Sequence, residues 1–375
     1  MLLRFAIQNF RGFQKRIEWD LTNSHSYDFH PSAVKDGVIR NGIIYGPNGS
    51  GKSNFSLAIF DLVNHLTQKM KKDDYYLNFA NAAHLNAPVV FEYEFRFGKD
   101  ILYYNYQKNN QGNLLNEYIE LNGKQFLKKN DSILEVDGIT IADSIKKDFM
   151  DSENPVSLVS FVWSNYPLSE NHILTKLKKF VESMLWYKCL DRREFIGLDN
   201  NVTLIEEYIV KNNLLEDFSN FLTKVSEQKF DFEVTSTESI LPNGHPALQV
   251  RFGELSQIVL RPFFQIASTG TQALELFYYW TKRAENASFI FIDEFDAFYH
   301  YDLAFKVCQH LFGIVKGQAF VSSHNTYLMT NDLLRPDCNF ILSDNKIKSL
   351  VDCTDKELRF AHNNEKLYRG GTFKV

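Results

Sequence analysis

The sequence predicts an α/β body: a mostly parallel sheet with helices, an antiparallel β meander and a helical insertion. Three observations carry that prediction. A glycine-rich loop, Gly46-Pro47-Asn48-Gly49-Ser50-Gly51-Lys52-Ser53, lies between a short apolar run and a segment with helical apolar spacing. A second apolar run, Phe289-Ile290-Phe291-Ile292, ends in the adjacent carboxylates Asp293 and Glu294. Apolar runs alternate with helical segments through the C-terminal part, the pattern of strands joined by crossover helices.

Composition sets the bounds. A chain of 375 residues, 44% hydrophobic, buries one large core or two moderate ones. The 33 Phe and 18 Tyr suit a densely packed α/β interior. A formal charge of −5 argues against a broad non-specific grip on nucleic acid, while leaving room for a local basic groove. The four cysteines, Cys189, Cys308, Cys338 and Cys353, are widely spaced, which suggests reduced thiols rather than a zinc site or disulfide framework. The N-terminal apolar run is too short for a signal peptide, and no stretch reaches transmembrane length. A soluble, cytoplasmic protein without a membrane partner is expected.

Taken in order, Leu2 to Gln8 alternates as a half-buried strand, Asn9 to Phe13 turns, and Gln14 to Leu21 returns. Val38 to Tyr45 is the strand before the glycine-rich loop, and Asn54 to Val63 the helix after it. Pro88–Phe97, Ile101–Gln107, Glu117–Phe126 and Ser132–Ile141 form the meander. Asn154-Pro155 breaks the chain, and Val156 to Trp163 reads as a buried strand. From about Glu170 to Val225 the spacing is helical. Phe230–Val234 and Leu248–Phe252 bracket Pro242-Asn243-Gly244 as a hairpin. Thr271 to Lys282 is a helix, and Ser288–Asp293, Gln318–Ser322 and Cys338–Leu342 are buried strands. No sustained heptad is present, so a long coiled coil is not expected. The expected organisation is one body over 1–375: an N-terminal lobe (1–87), a β-rich insertion (88–150), a helical insertion (165–227) and a C-terminal lobe (228–375).

The chemistry follows from the residue types. Glycines at 46, 49 and 51 let backbone N–H groups face inward around a polyphosphate. Lys52 supplies a cation for the β- and γ-phosphates, Ser53 a hydroxyl for Mg²⁺, and the helix from Asn54 directs its positive end at the anion. The loop is therefore read as a nucleotide cradle. Asp293 suits the metal, and Glu294, one residue past the strand end, suits a base for an attacking water. Ser268 and Gly270 open a helix, where a hydroxyl and backbone N–H groups offer an anion-binding surface. His324 ends the strand beginning at Gln318 and can hydrogen-bond a γ-phosphate or water. No Asn-Lys-x-Asp base-recognition sequence is present, which disfavours GTP.

The order of these motifs resembles the ABC-type ATPase head. Asn9-Phe10-Arg11-Gly12-Phe13 and Asp293-Glu294-Phe295-Asp296-Ala297 resemble its SMC and recombination branch. The coil of that branch is lacking, which counts against DNA bridging. The size and the texts Leu334–Cys338 and His362–Arg369 are similar to coil-less ATPase subunits of bacterial phage-defence systems of the AbiL, RloA and PARIS kind. The resemblance implies ATP and Mg²⁺ as ligands, Lys52, Ser53 and Asp293 holding them, and Glu294 as base. It also implies His324 as switch, Asn54 near the nucleotide, Arg11 either near the nucleotide or in a surface ion pair, and Ser268 and Gly270 acting on the ATP of a second subunit in a head-to-tail dimer. Thr269 and Thr271 depart from the usual signature, and His300 from the usual D-loop Asp, which implies slow turnover. Ser160 to Asn165 is a candidate for the glutamine loop. Expected partners are a second copy and a toxin or nuclease effector, with nucleic acid possible. Two other readings stay open: a repair or recombination ATPase that binds DNA across the closed dimer, and an ATP-stabilised scaffold with negligible turnover.

Overall fold

The computed structural model describes residues 1–67, 69, 75–150, 156–189, 195–198, 205–235, 247–253 and 258–375. Two seven-stranded sheets face the two sides of one helix, Lys52–Thr67. The first sheet is mixed, in the order Phe195–Gly197, Met184–Lys188, Phe289–Asp293, Gln318–Ser323, Asn41–Tyr45, Asn339–Ser343, Lys346–Ser349. Its five inner strands are parallel and its two edge strands antiparallel. The three central strands are buried along their whole length, which is why they read as unbroken apolar runs.

The second sheet is antiparallel throughout. The meander strands Val89–Phe97, Asp100–Lys108, Leu114–Leu121, Lys124–Lys129 and Leu134–Val136 continue directly from the N-terminal hairpin Leu2–Gln8 and Ile17–Asp20. The meander is thus the greater part of one sheet begun by the first residues. Alternation in Val89–Phe97 follows from this: Val89, Phe91, Tyr93 and Phe95 are buried while Glu92 and Glu94 lie on the outer face.

The helix Lys52–Thr67 is clamped from both sides. Phe55 meets Phe5 and Trp19 edge-on. The Tyr93 hydroxyl donates to the Ala58 carbonyl at 3.0 Å, and Trp186 Nε1 donates to Ser56 Oγ at 2.9 Å. The two sheets are also tied directly: Leu2 N donates to Gln318 Oε1 at 2.7 Å, and Gln318 Nε2 returns a hydrogen bond to Leu2 O.

Two readings are corrected. Val156 to Trp163 is not a buried strand, because Leu158–Asn165 is a helix. Its first turn is capped twice: Ser157 Oγ accepts from Ser160 N, and the Glu117 carboxylate accepts from Leu158 N at 2.6 Å. Leu158, Val159 and Val162 form the buried face, a spacing that fits a helix as well as it fits a short apolar run. The stretch 170–225, read as helical, is interrupted by the strand Met184–Lys188, which pairs in parallel with Phe289–Asp293. Helices Ile173–Glu182, Ile205–Lys211 and Leu215–Ser226 flank it, with Leu174, Leu177, Ile209 and Phe218 buried.

The Asn154-Pro155 break and the Pro242-Asn243-Gly244 turn lie outside the described residues. The strands around that turn, Phe232–Thr235 and Ala247–Phe252, pair antiparallel, and a third strand, Val259–Pro262, joins them. Among the described residues no helix is long and apolar enough to cross a membrane, and all four cysteines are buried and unpaired.

Candidate nucleotide site

The strand Asn41–Tyr45 delivers the glycine-rich loop to the C-terminal edge of the parallel sheet, between Gln318–Ser323 and Asn339–Ser343. A Cβ on Gly46 would sit 2.5 Å from the Leu342 carbonyl oxygen and 2.6 Å from Ser50 Oγ. Gly51 has φ +96°, and a Cβ there would meet the Phe13 ring at 2.8 Å. Both positions therefore require glycine. Lys52 opens the helix, and its Nζ donates to Gly46 O at 2.8 Å and Pro47 O at 3.1 Å. Burial holds its pKa below the usual lysine value, while Asp293, Glu294 and Asp296 pull the other way. The Ser50 hydroxyl is buried without a hydrogen-bond partner among the described residues.

Asp293 is the last residue of its strand and fully buried. Its Oδ1 accepts from Ser322 Oγ at 2.6 Å, and its buried Oδ2 has no hydrogen-bond partner among the described residues. Burial pushes its pKa up, and the hydroxyls of Ser322 and Ser53 oppose that shift. Glu294 follows with φ +50°, a left-handed backbone that a glutamate rarely adopts. Its N–H donates to Ser322 Oγ at 2.9 Å, so one serine holds the strand end from both sides. The Glu294 carboxylate lies 3.4 Å from Lys188 Nζ.

His324 Nδ1 lies 3.3 Å from Lys52 Nζ, which places the residue after the Gln318–Ser323 strand against the loop. Asp296 accepts from Ser323 Oγ at 2.9 Å. Burial raises its pKa, opposed first by that hydrogen bond and then by His324 and Lys52. Asn48, Glu294, Asp296, Tyr299 and His324 line an open cleft of about 500 Å³. Arg11 donates to Asn54 Oδ1 at 3.1 Å and to Tyr75 O at 3.0 Å, with its guanidinium over the Phe10 and Tyr75 rings. It flanks the first turn of the loop's helix.

The loop, Asp293, Glu294 and His324 are thus brought together. Ser268 and Gly270 lie at the start of another helix, Thr269–Arg283. Ser268 caps the helix Thr269–Arg283 by accepting from Thr271 N at 3.2 Å. Gly270 abuts the turn after the acidic strand, where a Cβ would lie 3.0 Å from Phe298 O. Neither forms a hydrogen bond to the glycine-rich loop among the described residues. Ser160 to Asn165 lies on the capped helix, where Ser160 Oγ donates to Leu66 O at the far end of the loop's helix. Sequence reasoning missed Ser322, Asp296 and Lys188 as site residues. Ser322 and Asp296 were legible as small polar residues beside motif positions. Lys188 was not, because its strand was hidden in a helical reading.

The donor set suits a metal–polyphosphate. An orphaned, buried carboxylate oxygen near a serine hydroxyl fits a hard divalent cation that takes its remaining ligands from phosphate and water. Among the described residues no group of three or more His, Cys, Asp or Glu could hold a metal by itself.

The strand before the glycine-rich loop, the strand ending at Ser323 and the acidic strand, side by side in one parallel sheet with an antiparallel sheet across the loop's helix, define the fold class: that of an ABC-type P-loop ATPase head. The chain belongs to the family described as "AAA domain, putative AbiEii toxin, Type IV TA system", whose model matches residues 43–330. It is similar to a solved SMC head bound to the C-terminal winged-helix domain of ScpA, at 15% identity and TM-score 0.46, covering 93% of this chain and 97% of that one. It is also similar to the SMC head domain from Thermotoga maritima, at 15% identity and TM-score 0.41, covering 92% and 97%. A third similar structure is the recombination mediator RecF, at 14% identity and TM-score 0.39, covering 94% and 98%. No curated protein matches the sequence.

Proposed function

We propose that this chain binds and hydrolyses ATP, and that its nucleotide state switches a separate toxin or nuclease effector in bacterial antiphage defence, in the manner of AbiL-, RloA- or PARIS-type ATPase subunits. The observation that carries the ATPase reading is the meeting of Lys52, Asp293, Glu294 and His324 around the glycine-rich loop, with one Asp293 oxygen left unpartnered among the described residues. In this reading Gly46 to Ser53 wrap the phosphates, and Asn54 and Arg11 flank the nucleotide. Ser53 and Asp293 hold Mg²⁺, which when bound neutralises phosphate charge. Glu294 takes the proton of the attacking water, and His324 reports the γ-phosphate. Ser268 and Gly270, at the start of the helix Thr269–Arg283, serve the ATP of a second copy in a head-to-tail dimer. ATP would favour the closed state and hydrolysis would release it. The chain acts as one head, with 1–87 and 228–375 as core lobes and 88–150 and 165–227 as insertions.

A toxin–antitoxin setting is supported by the family description, which names a putative toxin of a type IV system. The test is native mass spectrometry of Glu294→Gln purified with Mg-ATP from cells carrying the neighbouring genes. Turnover should fall about 10²–10⁴-fold with ATP binding kept, the range for removing a general base. An even-numbered assembly holding ATP and a toxin- or nuclease-like companion is the expected result. A bare dimer carrying DNA, with DNA-stimulated turnover that falls steeply with salt, would replace the defence role by a repair role.

A further inference from the structure

The strand Met184–Lys188 runs parallel to the acidic strand in strict register, pairing Lys188 with Asp293. Both strands therefore end level, and Lys188 is the residue that its strand presents at the carboxylates. Its Nζ lies 3.4 Å from Glu294 Oε2, with both side chains 27% exposed. Lys188 also bears electrostatically on Asp293, favouring that residue's ionised form. Among the described residues no hydrogen bond fixes Glu294 Oε2, which is buried. By contrast its backbone is held twice, by the strand it follows and by the N–H donated to Ser322 Oγ. The side chain of a glutamate has three rotatable bonds beyond that anchor, and one nearby cation selects among its rotamers.

We propose that Lys188 is the positioning residue for Glu294: its ammonium holds the carboxylate in the orientation from which it meets the attacking water. This rests on the reading of Glu294 as the base. Lysine suits the task in a particular way. An ammonium has three donors and no acceptor, so it orients a carboxylate without competing with it for a water proton or for the metal. It is also a mobile point charge on a flexible stem, so it can yield when the cleft fills with phosphate and metal charge. Lys52 cannot substitute for it, because Lys52 is engaged with the loop carbonyls of Gly46 and Pro47 on the phosphate side.

The test is a double-mutant cycle on the full chain, read by ATP binding and by single-turnover hydrolysis. Lys188→Met should lower the hydrolysis rate roughly ten- to a hundredfold, the scale of a misplaced catalytic group. ATP affinity and KM should stay within about twofold, because the lysine acts on the chemical step rather than on uniform binding. Lys188→Arg should recover most of the rate. In the Glu294→Gln background the same Lys188→Met change should cost less than about twofold, since the group it orients is gone. An equal loss in both backgrounds, or a loss confined to KM, would overturn the positioning role. So would an unaltered rate in Lys188→Met. If Glu294→Gln alone left hydrolysis unchanged, the base assignment itself would fail, which is a separate result. A thermal unfolding midpoint matching the parent in Lys188→Met separates positioning from loss of fold.

Discussion

Lys52 carries its role in its immediate neighbours. Its place after three glycines and before Ser53 defines a phosphate cradle, and the fold puts its ammonium on two loop carbonyls and beside His324. Those carbonyl bonds hold the side chain where an anion would take it over. Lys52→Ala should therefore weaken ATP binding by about 3 kcal/mol, roughly a hundredfold, while shifting the thermal midpoint little. Titration of a fluorescent ATP analogue checks this, and unaltered affinity would refute the loop's role. The glycine-rich loop, Asp293, Glu294 and His324 were legible because each role is written in local spacing. Lys188 was not, since its role comes from which strands lie side by side. Strand order is a property of the sheet, and no chain interval encodes it.

At the scale of elements, the loop's helix is bound to the antiparallel sheet by a buried polar network. Asp61 accepts from Lys108 Nζ at 2.7 Å, Tyr106 at 2.8 Å and Tyr75 at 3.1 Å, with Asp61 and Lys108 both out of solvent. Nearby, Glu117 accepts from Tyr104, Ser157 and Leu158 N, which fixes the start of the helix Leu158–Asn165. Removing one member of a buried ion pair leaves the other uncompensated. Lys108→Ala should cost about 3–5 kcal/mol, read as a lowered urea midpoint. The double change Lys108→Met with Asp61→Asn should cost less than Lys108→Ala alone, because no buried charge is stranded. This network also explains one misreading. Ser157 and Glu117 cap a helix that the apolar text Val156 to Trp163 did not announce, and a cap supplied about forty residues upstream is invisible to periodicity. The interruption at Met184–Lys188 escaped for a related reason. Five residues, four of them buried, are too short a run to stand out between two amphipathic helices.

For the whole molecule, the proposed catalytic unit has two parts. The loop and its carboxylates gather at the C-terminal edge of the parallel sheet, while Ser268 and Gly270 open a helix with no hydrogen bond to them among the described residues. In the proposed reading the first set binds ATP and the second set serves the ATP of a second copy. The fold class was legible because buried parallel strands announce themselves as apolar runs. The continuity of the meander with Leu2–Gln8 was not, because it joins segments about ninety residues apart. The most direct measurement is the mass in solution of Glu294→Gln with and without Mg-ATP, alongside the same protein carrying Ser268→Arg. The account predicts a shift from one chain to two on adding Mg-ATP, with two ATP bound, and no shift for Ser268→Arg although it still binds ATP. A Glu294→Gln protein that binds Mg-ATP and stays a single chain would contradict it, as would a Ser268→Arg variant that pairs as before.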